Sequence, residues 1–335
     1  MLKKTLFLIL PLLVAISCTQ PKSKSQEVEW AIVIHGGAGG SSGSMSEENK
    51  AQYEKHLLEA IELGSIMLAQ DAAALDVVQA VVVYMEDCPL FNAGKGAVKT
   101  IEGTFELDAA IMDGSNLKAG AIAGVKDIKN PIKAARLVMD STEHVLLIGE
   151  GASFFAQYKG LEMVENSYFS TVKREEQHIR VKESKEKEDP RGTVGCVVKD
   201  KFGNLAAATS TGGTSGKKWG RVGDVPIIGA GTYANNNTAA ISGTGHGELW
   251  IRRVVAFDIC ALMEYKGMPL QAASQEVIFN KITPMGGFGG GIIAVDKTGN
   301  ISMEFNTDMM HRAWAKSTGE YGVGVLKGEE KTFIK

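Results

Sequence analysis

Apolar residues near the start of the chain recur first with the spacing of a strand and then with that of a helix. The run Glu29–Ile34 (EWAIVI) predicts a buried strand, and His35–Gly40 (HGGAGG) predicts a glycine-rich turn after it. From Ser46 to about Gln70, apolar positions recur at helical spacing. Ser46 can cap this helix, because its hydroxyl can accept a hydrogen bond from a backbone N–H of the first turn.

The same patterns predict helices and short strands up to the middle of the chain. Helices are expected at Asp71–Met85, Pro131–Met139 and Ala152–Tyr158. Strands are expected at Phe105–Met112, Ala119–Val125 and Val145–Ile148. A turn-rich loop, Glu86–Gly96 (EDCPLFNAGKG), follows the first of these helices.

The segment from Tyr168 to Gly192 has a different character. Its central part, Lys173–Asp189 (KREEQHIRVKESKEKED), is almost wholly polar and dense in charge. Such a segment cannot bury enough apolar area to become ordered by itself. We therefore expect residues 168–192 to form a solvated, mobile linker, which ends abruptly where apolar character returns at Thr193.

Beyond residue 192, strands and helices again come in groups. Strands are expected at Thr193–Val198, Asn204–Ser210, Ala239–Ser242, Gly291–Val295 and Ile301–Phe305. Helices are expected at Gly247–Met263 and Leu270–Asn280. Grouped strands with short connections favour packed, mainly antiparallel sheets with helices outside, and argue against a regular parallel βαβ array. The predicted class is therefore α+β.

The N-terminus has the pattern of an export signal. A positively charged start precedes an apolar run over Leu6–Ile16, which is too short for a membrane span. Val14–Cys18 resembles a bacterial lipobox, with Ala15 where leucine is usual. We expect residues 1–17 to be a signal peptide, Cys18 to be lipidated and residues 19–28 to be a tether, in a periplasmic protein anchored by lipid to a bacterial membrane. An ordinary cleaved signal is the alternative.

Composition excludes several classes of function. The chain has 335 residues, of which 44% are hydrophobic, and a net charge of -3, so nothing favours nucleic acid as a partner, and the membrane is expected only through the lipid anchor. Cys88, Cys196 and Cys260 are expected to be small core residues. The six histidines lack the spacing of a zinc site, and HGGAGG lacks the G-x-G-x-x-G spacing of a nucleotide loop. No cofactor is expected for catalysis.

The junction Gly192-Thr193 carries the strongest chemical signal. A threonine that begins a strand could present both a hydroxyl and, after cleavage of the chain, a free α-amine. The unperturbed pKa of an α-amine is about 8, so the amine can act as the base for its own hydroxyl. Gly192 would allow close approach to its carbonyl, because glycine has no Cβ. From spacing alone, the simpler interpretation is that Thr193 merely starts a strand.

Sequence blocks around this junction overturn the simpler interpretation. The chain resembles the plant-type asparaginase and isoaspartyl peptidase family of N-terminal-nucleophile hydrolases from His35 to Trp314. The most specific blocks are GTVGCVV (Gly192–Val198), ATSTGG (Ala208–Gly213), GRVGD (Gly220–Asp224), IIGAGTYANN (Ile227–Asn236) and GTGHGE (Gly243–Glu248). The resemblance implies a single four-layer αββα sandwich, cut between Gly192 and Thr193 into an α chain (29–192) and a β chain (193–335).

The resemblance also implies the catalytic groups. Thr193 matches the autoproteolytic nucleophile, which would attack a β-aspartyl amide and form an acyl-enzyme. Thr211 matches a second threonine that hydrogen-bonds the nucleophile. Thr244 and the N–H of Gly245 match an oxyanion hole, which stabilises the charge that develops on the substrate oxygen.

Four further positions match substrate contacts in the family. Arg221 matches the arginine that holds the substrate α-carboxylate, for which its planar fork is suited. Asp224 matches the residue that holds the α-ammonium. Gly247 matches a glycine in the substrate-contacting turn, and Asn92 matches an asparagine near the nucleophile.

The resemblance further implies an assembly and an ion. The family usually pairs two cleaved units into an (αβ)₂ homodimer. Its loop before the site wraps a sodium ion with backbone carbonyls, which here would be those of Met85, Glu86, Cys88, Phe91, Ala93 and Lys95.

Three departures and two alternatives bear on specificity. Trp219 and Glu304 stand where proline is common, and His246 stands where threonine is common. We expect these to affect substrate preference more than mechanism. Within the fold, the alternative is a glycosylasparaginase that acts on N-linked glycosyl-asparagine. From a different class, the alternative is an inactive surface lipoprotein that only binds ligands.

Overall fold

A computed structural model of the protein describes residues 27–40, 45–183, 192–286 and 289–334. The predicted signal peptide, the lipidation site Cys18 and most of the tether lie outside these residues, as do residues 184–191 before the junction. Within the described residues, no helix is long and apolar enough to cross a membrane. Cys88, Cys196 and Cys260 are buried and free, as predicted.

Among the described residues, nine α-helices and β-strands precede the junction. They are β1 (Ala31–Ala38), α1 (Glu47–Ala69), α2 (Ala74–Asp87), β2 (Leu107–Asp113), β3 (Ala119–Val125), α3 (Pro131–Ser141), β4 (Leu146–Ile148), α4 (Gly149–Tyr158) and α5 (Val172–Glu183). The predicted cap of α1 is confirmed, because the side-chain oxygen of Ser46 accepts a hydrogen bond from the N–H of Asn49 at 3.2 Å.

Twelve more follow the junction. They are β5 (Val194–Lys199), β6 (Leu205–Thr211), β7 (Thr232–Ala234), β8 (Ala239–Gly245), α6 (Gly247–Arg253), α7 (Val255–Lys266), α8 (Leu270–Gln275), β9 (Gly290–Asp296), β10 (Ile301–Phe305), β11 (Met309–Lys316), β12 (Glu320–Leu326) and β13 (Glu330–Ile334). A π-helical turn, Glu276–Ile282, continues α8.

The strands form two packed sheets, which confirms the predicted sandwich. The large sheet has the order β13-β12-β11-β1-β5-β6-β2-β3-β4, and all its pairs are antiparallel except β3–β4. The small antiparallel sheet has the order β10-β9-β8-β7. Apolar residues such as Val33, Val197 and Ile293 fill the space between the sheets. Two further apolar clusters lie between the large sheet and α1–α4, and between the small sheet and α6–α8, so the four layers are αββα.

Both sides of the junction contribute to one sheet. β1 lies between β11 and β5, and β2 pairs with β6, so strands from before and after residue 192 alternate in the large sheet. Hydrogen bonds of the sheet therefore join the two segments independently of the peptide bond at the junction. We expect the segments to stay together after that bond is cut.

Part of the predicted mobile linker is helical, and the prediction was wrong there. α5 covers Val172–Glu183. The guanidinium of Arg174 is buried and donates a 2.6 Å hydrogen bond from Nε to the carbonyl of Gly96, and Lys99 pairs with Glu175 on the exposed side. Local composition was misleading because a charged side chain can bury its stem while its charged end is paired or in water.

The predicted turn at His35–Gly40 is also wrong in part, because β1 continues through Gly36 and Gly37 to Ala38. The pairing with β11 shifts register between His35 and Gly37, and Gly37 has a φ of +113°. A Cβ on Gly37 would lie 2.7 Å from the Cα of Gly192. The glycines therefore do not end the strand. They allow it to pack closely against Gly192 at the junction.

Differences in the second half have local causes. The helix predicted at Gly247–Met263 is two helices, because Val254 adopts a left-handed conformation (φ 50°) between α6 and α7. The helix predicted at Leu270–Asn280 leaves α-helical geometry after Gln275. β7 and the three strands β11–β13 were not predicted, and β13 is exposed throughout, so no apolar alternation marks it.

Candidate active site

Thr193 lies immediately before β5, and its hydroxyl is buried beside the peptide bond that precedes it. Its Oγ1 donates to Oγ1 of Thr211, the last residue of β6, at 3.2 Å. The hydroxyl of Thr211 in turn donates to the carbonyl of Gly192 at 3.2 Å and accepts the N–H of Gly213 at 3.0 Å. The predicted nucleophile and the predicted second threonine are therefore in contact because β5 and β6 are neighbours.

Asn92 is a second donor to the same carbonyl. Its Nδ2 donates to the oxygen of Gly192 at 2.7 Å and to that of Gly213 at 2.8 Å. Its Oδ1 accepts the N–H of Val98 at 2.8 Å. All three contacts hold the amide in one orientation, so two donors, Asn92 and Thr211, converge on the oxygen of the bond predicted to be cut.

His35 anchors the other side of Thr193, a role that the sequence did not reveal. Nδ1 lies 3.0 Å from the carbonyl oxygen of Thr193, which can only accept, so Nδ1 carries the proton. Burial lowers the pKa of His35 to about 3, and Nε2 of the neutral ring accepts from Ser242 at 2.9 Å. Ser242 lies 2.8 Å from Thr209, so a buried hydrogen-bond chain links the small sheet to the nucleophile.

Thr244 and Gly245 lie at the end of β8, next to the end of β1. The N–H of Ala38 donates to Oγ1 of Thr244 at 3.1 Å, which leaves the hydroxyl proton of Thr244 free to donate. Gly37, the neighbour of Ala38, touches the junction, so β1 brings the predicted oxyanion hole close to Thr193. Gly245 has a φ of +141°, which a side chain would disfavour.

Arg221, Asp224 and Gly247 surround one gap. A Cβ on Gly247 would lie 2.8 Å from Nη2 of Arg221 and 2.8 Å from Oδ1 of Asp224. The absent side chain therefore leaves open the space between a guanidinium and a carboxylate. This pair of opposite charges fits the α-carboxylate and α-ammonium of an amino acid.

Asp224 is buried and has one unsatisfied oxygen. Its Oδ2 has no hydrogen-bond partner. Burial raises the pKa of Asp224 to about 7, while the charge of Arg221 acts in the opposite direction. A buried carboxylate with an oxygen that lacks a hydrogen-bond partner is costly to keep ionised, and a bound cation would relieve this cost.

Glu248, in the first turn of α6, binds Arg221 from the outside and was also missed. Its two oxygens accept from Nε and Nη2 of Arg221 at 2.9 and 3.0 Å. Nε2 of His246 lies 3.3 Å from Oε2 of Glu248. The departure at His246 thus lies at the site. Trp219 is exposed two residues before Arg221, whereas Glu304 contacts Gln271 of α8.

The loop after α2 has donors suited to sodium. Backbone carbonyls are hard oxygen ligands, and this loop folds back so that the N–H of Lys95 bonds the carbonyl of Glu86 at 2.7 Å. The carbonyls of Met85 and Cys88 accept one hydrogen bond each from within the loop and keep a second lone pair. The donor type therefore fits, and sodium binding stays a prediction. Within the described residues, no cluster of His, Cys, Asp or Glu could hold a metal ion.

Comparison with known proteins identifies the family of the chain. The sequence profile of the asparaginase family matches residues 28–325. The chain belongs to this asparaginase family. As a family member it shares 50% identity over 308 residues with an isoaspartyl peptidase of Salmonella typhimurium, covering 88% of this chain and 98% of that one.

Other members of the asparaginase family match over similar lengths. An isoaspartyl peptidase of Escherichia coli is 47% identical over 312 residues, which is 89% of this chain and 97% of the relative. A plant-type L-asparaginase of Pyrobaculum calidifontis is 38% identical over 292 residues, which is 85% of this chain and 96% of the relative. The family match over residues 28–325 spans the positions of the site residues described above.

Proposed function

We propose that this protein hydrolyses β-aspartyl amide bonds, converting L-asparagine to L-aspartate and ammonia and cleaving isoaspartyl dipeptides, after it has cut its own chain at Gly192-Thr193. The observation that carries the proposal is the contact of the Thr193 hydroxyl with Thr211, whose hydroxyl and the amide of Asn92 both donate to the carbonyl of Gly192. The names of the related isoaspartyl peptidases and asparaginases support the substrate class.

Maturation begins when the hydroxyl oxygen of Thr193 attacks the carbonyl carbon of Gly192. The negative charge that develops on the Gly192 oxygen is stabilised by the side-chain amide of Asn92 and the hydroxyl of Thr211. The C–N bond then breaks, its nitrogen takes up a proton, and Gly192 is left as an ester on Thr193. Water hydrolyses the ester, which frees the Gly192 carboxylate and the α-amine of Thr193.

Catalysis uses the group that cleavage creates. The α-amine of Thr193, with an ordinary pKa of about 8, takes the proton of the hydroxyl as that hydroxyl attacks the substrate amide. Arg221 holds the α-carboxylate and Asp224 the α-ammonium, while Thr244 and Gly245 stabilise the oxyanion. The amine leaves with a proton, and water then releases aspartate from the acyl-enzyme.

A comparison of substrates tests the proposal. We expect the mature protein to turn over L-asparagine and β-Asp-Leu and to act poorly on a glycosylated asparagine, with ammonia, leucine or the glycosylamine measured as products. Fast turnover of the glycosylated substrate alone would favour the glycosylasparaginase alternative. No turnover of any of the three by fully cleaved protein would contradict the proposal and favour a ligand-binding lipoprotein.

The pH dependence should report on Asp224. Because burial raises the pKa of Asp224 to about 7, its carboxylate is lost as pH falls through 7, and the hold on an α-ammonium is lost with it. We expect this loss to lower kcat/KM for L-asparagine by up to tenfold per unit of pH below 7, in addition to any effect of other groups. The Thr193 α-amine also protonates on acidification, so a matched substrate is needed.

Succinamic acid supplies this control, because it is asparagine without the α-amine. Both acid limbs should start with the Thr193 amine, but that of succinamic acid should lack the additional fall below pH 7 that Asp224 causes. Identical pH profiles of kcat/KM for the two substrates, once scaled, would contradict a role for Asp224 in holding the α-ammonium.

Export, the anchor, the assembly and the ion complete the proposal. The apolar run before Cys18 supports a lipid-anchored periplasmic protein, and the interleaved sheet supports a stable αβ unit. Pairing of two such units as (αβ)₂ rests on the family resemblance. The carbonyl-rich loop supports a structural sodium ion. Mass spectrometry of the mature N-terminus tests the anchor, and an unlipidated Cys18 would refute it. Light scattering tests the assembly, and a mass of a single αβ unit would refute it. Thermal melting in sodium against potassium tests the ion site, and equal melting temperatures would refute it.

A further inference from the structure

We infer that Glu248 is a positioning residue for the reaction. It holds the guanidinium of Arg221 by the Nε–Nη2 edge, which we call the outer edge, so that the Nη1–Nη2 edge, the inner edge, faces the substrate α-carboxylate. The inference rests on the proposed function of Arg221 and adds a residue to it. It depends on which edge of the guanidinium each neighbour occupies.

Glu248 occupies the outer edge. Its two oxygens accept from Nε and Nη2 of Arg221 at 2.9 and 3.0 Å, in the parallel arrangement of a bidentate pair. The Glu248 side chain is 51% exposed, whereas that of Arg221 is 20% exposed. Glu248 therefore contacts Arg221 from the solvent side.

Glycines border the inner edge. Cβ atoms built on Gly223 and Gly213 would lie 2.9 and 3.5 Å from Nη1 of Arg221, and one on Gly247 would lie 2.8 Å from Nη2. Oδ1 of Asp224 reaches the same side of Gly247. The Nη1–Nη2 edge thus faces the gap between guanidinium and carboxylate, where no side chain intrudes from these positions.

The two edges explain what Glu248 does. An arginine side chain has many rotamers, and each contact that fixes it before the substrate arrives reduces the entropy lost on binding. A bidentate pair on one edge fixes the plane of the guanidinium and leaves the other edge for a second carboxylate. If Glu248 instead competed with the substrate, its removal would strengthen binding, so the two roles predict opposite changes.

Glu248 is itself held in place. It lies in the first turn of α6, where a carboxylate is favoured by the free N–H groups of the helix, and Nε2 of His246 lies 3.3 Å from its Oε2. The charge of Arg221 and its hydrogen bonds lower the pKa of Glu248 against the effect of burial, so Glu248 stays ionised as the pair requires.

Substitution of Glu248 tests the inference. In E248Q one oxygen becomes an NH₂ group that faces the guanidinium, so the bidentate pair is lost at almost constant volume. We expect KM for L-asparagine and the inhibition constant of L-aspartate to rise about tenfold, the scale of a hydrogen bond between charged groups. We expect kcat and the rate of autoproteolysis to stay within about twofold, because neither the scissile bond nor its donors contact Glu248. E248D, which keeps the charge, should recover part of the affinity.

A matched variant controls for loss of any Arg–carboxylate pair. D140N removes the partner of Arg136 Nε, at 2.6 Å on α3, and should leave KM unchanged. An unchanged or lower KM in E248Q, a fall in kcat alone, or an equal KM increase in D140N would overturn the positioning role. If wild-type protein does not hydrolyse asparagine at all, the proposed function fails instead, and the two failures are distinguishable.

Discussion

Replacing Thr193 by alanine should leave the chain uncut and without amidohydrolase activity. The substitution removes the hydroxyl that we propose attacks Gly192, so neither the ester nor the free α-amine can form. Loss of a nucleophile that acts together with its base costs on the order of 10⁶-fold in rate. A denaturing gel over several days of incubation, together with ammonia release from L-asparagine, measures both effects.

Thr193→Ser is the control for this experiment. It retains the hydroxyl and removes only a methyl group, so it should still cut and still hydrolyse, with reduced rates. Edman sequencing of the smaller wild-type fragment should begin Thr-Val-Gly-Cys. Two bands from folded T193A, or a wild-type chain that stays whole on incubation, would refute the central role of Thr193.

The second large effect is expected at Asn92. In N92A the Gly192 oxygen loses its shorter hydrogen bond, at 2.7 Å, and keeps only that from Thr211 at 3.2 Å. Removal of one donor to a developing oxyanion costs roughly 10²–10³ in rate, or about 2.7–4 kcal/mol. Autoproteolysis of freshly purified N92A should therefore be slowed by roughly 100-fold or more, as measured by the appearance of the two fragments.

Asn166→Ala is a matched control, because Asn166 is another amide that ties loops together. Its Nδ2 donates to the carbonyls of Phe105 and Lys126, and its Oδ1 accepts the N–H of Phe105. N166A should lower thermal stability as N92A does, but should cut at a rate close to that of wild type. Wild-type cleavage of N92A, or equal slowing in both variants, would show that Asn92 acts only on stability.

The two predictions differ in how much of their basis was visible in the sequence. Thr193 was identified because a buried strand begins abruptly after a charged segment and because the blocks around it resemble a known family. Asn92 was assigned by resemblance alone, and its contact with the Gly192 carbonyl became known only from the fold. A loop that precedes the junction by 100 positions must close onto it, and no local pattern encodes such a distance.

Charged and polar partners show the same limit. Arg221 and Asp224 were expected at the site, but the pairing of Arg221 with Glu248 spans 27 positions and that of His35 with Thr193 spans 158. In the sequence each partner alone has an ordinary alternative, since Glu248 is a typical first-turn acid and His35 follows the predicted strand Glu29–Ile34. Only the packing of β1 against β5, and of α6 against the loop of Arg221, makes these contacts.

Resemblance to a known family predicted the reactive residues, whereas the sequence by itself determined the α+β class, the cap at Ser46, the core cysteines, and most helices and strands. These depend on apolar periodicity, on caps and on residue chemistry, which act over a few neighbouring positions. Tertiary structure alone decided that β1 runs on past its glycines, that α5 is ordered by Arg174 on the Gly96 carbonyl, and that Glu248 takes the outer edge of Arg221. The physical reason is that these features depend on hydrogen bonds and close approaches between distant segments, whose free energy exists only once the sheets have packed.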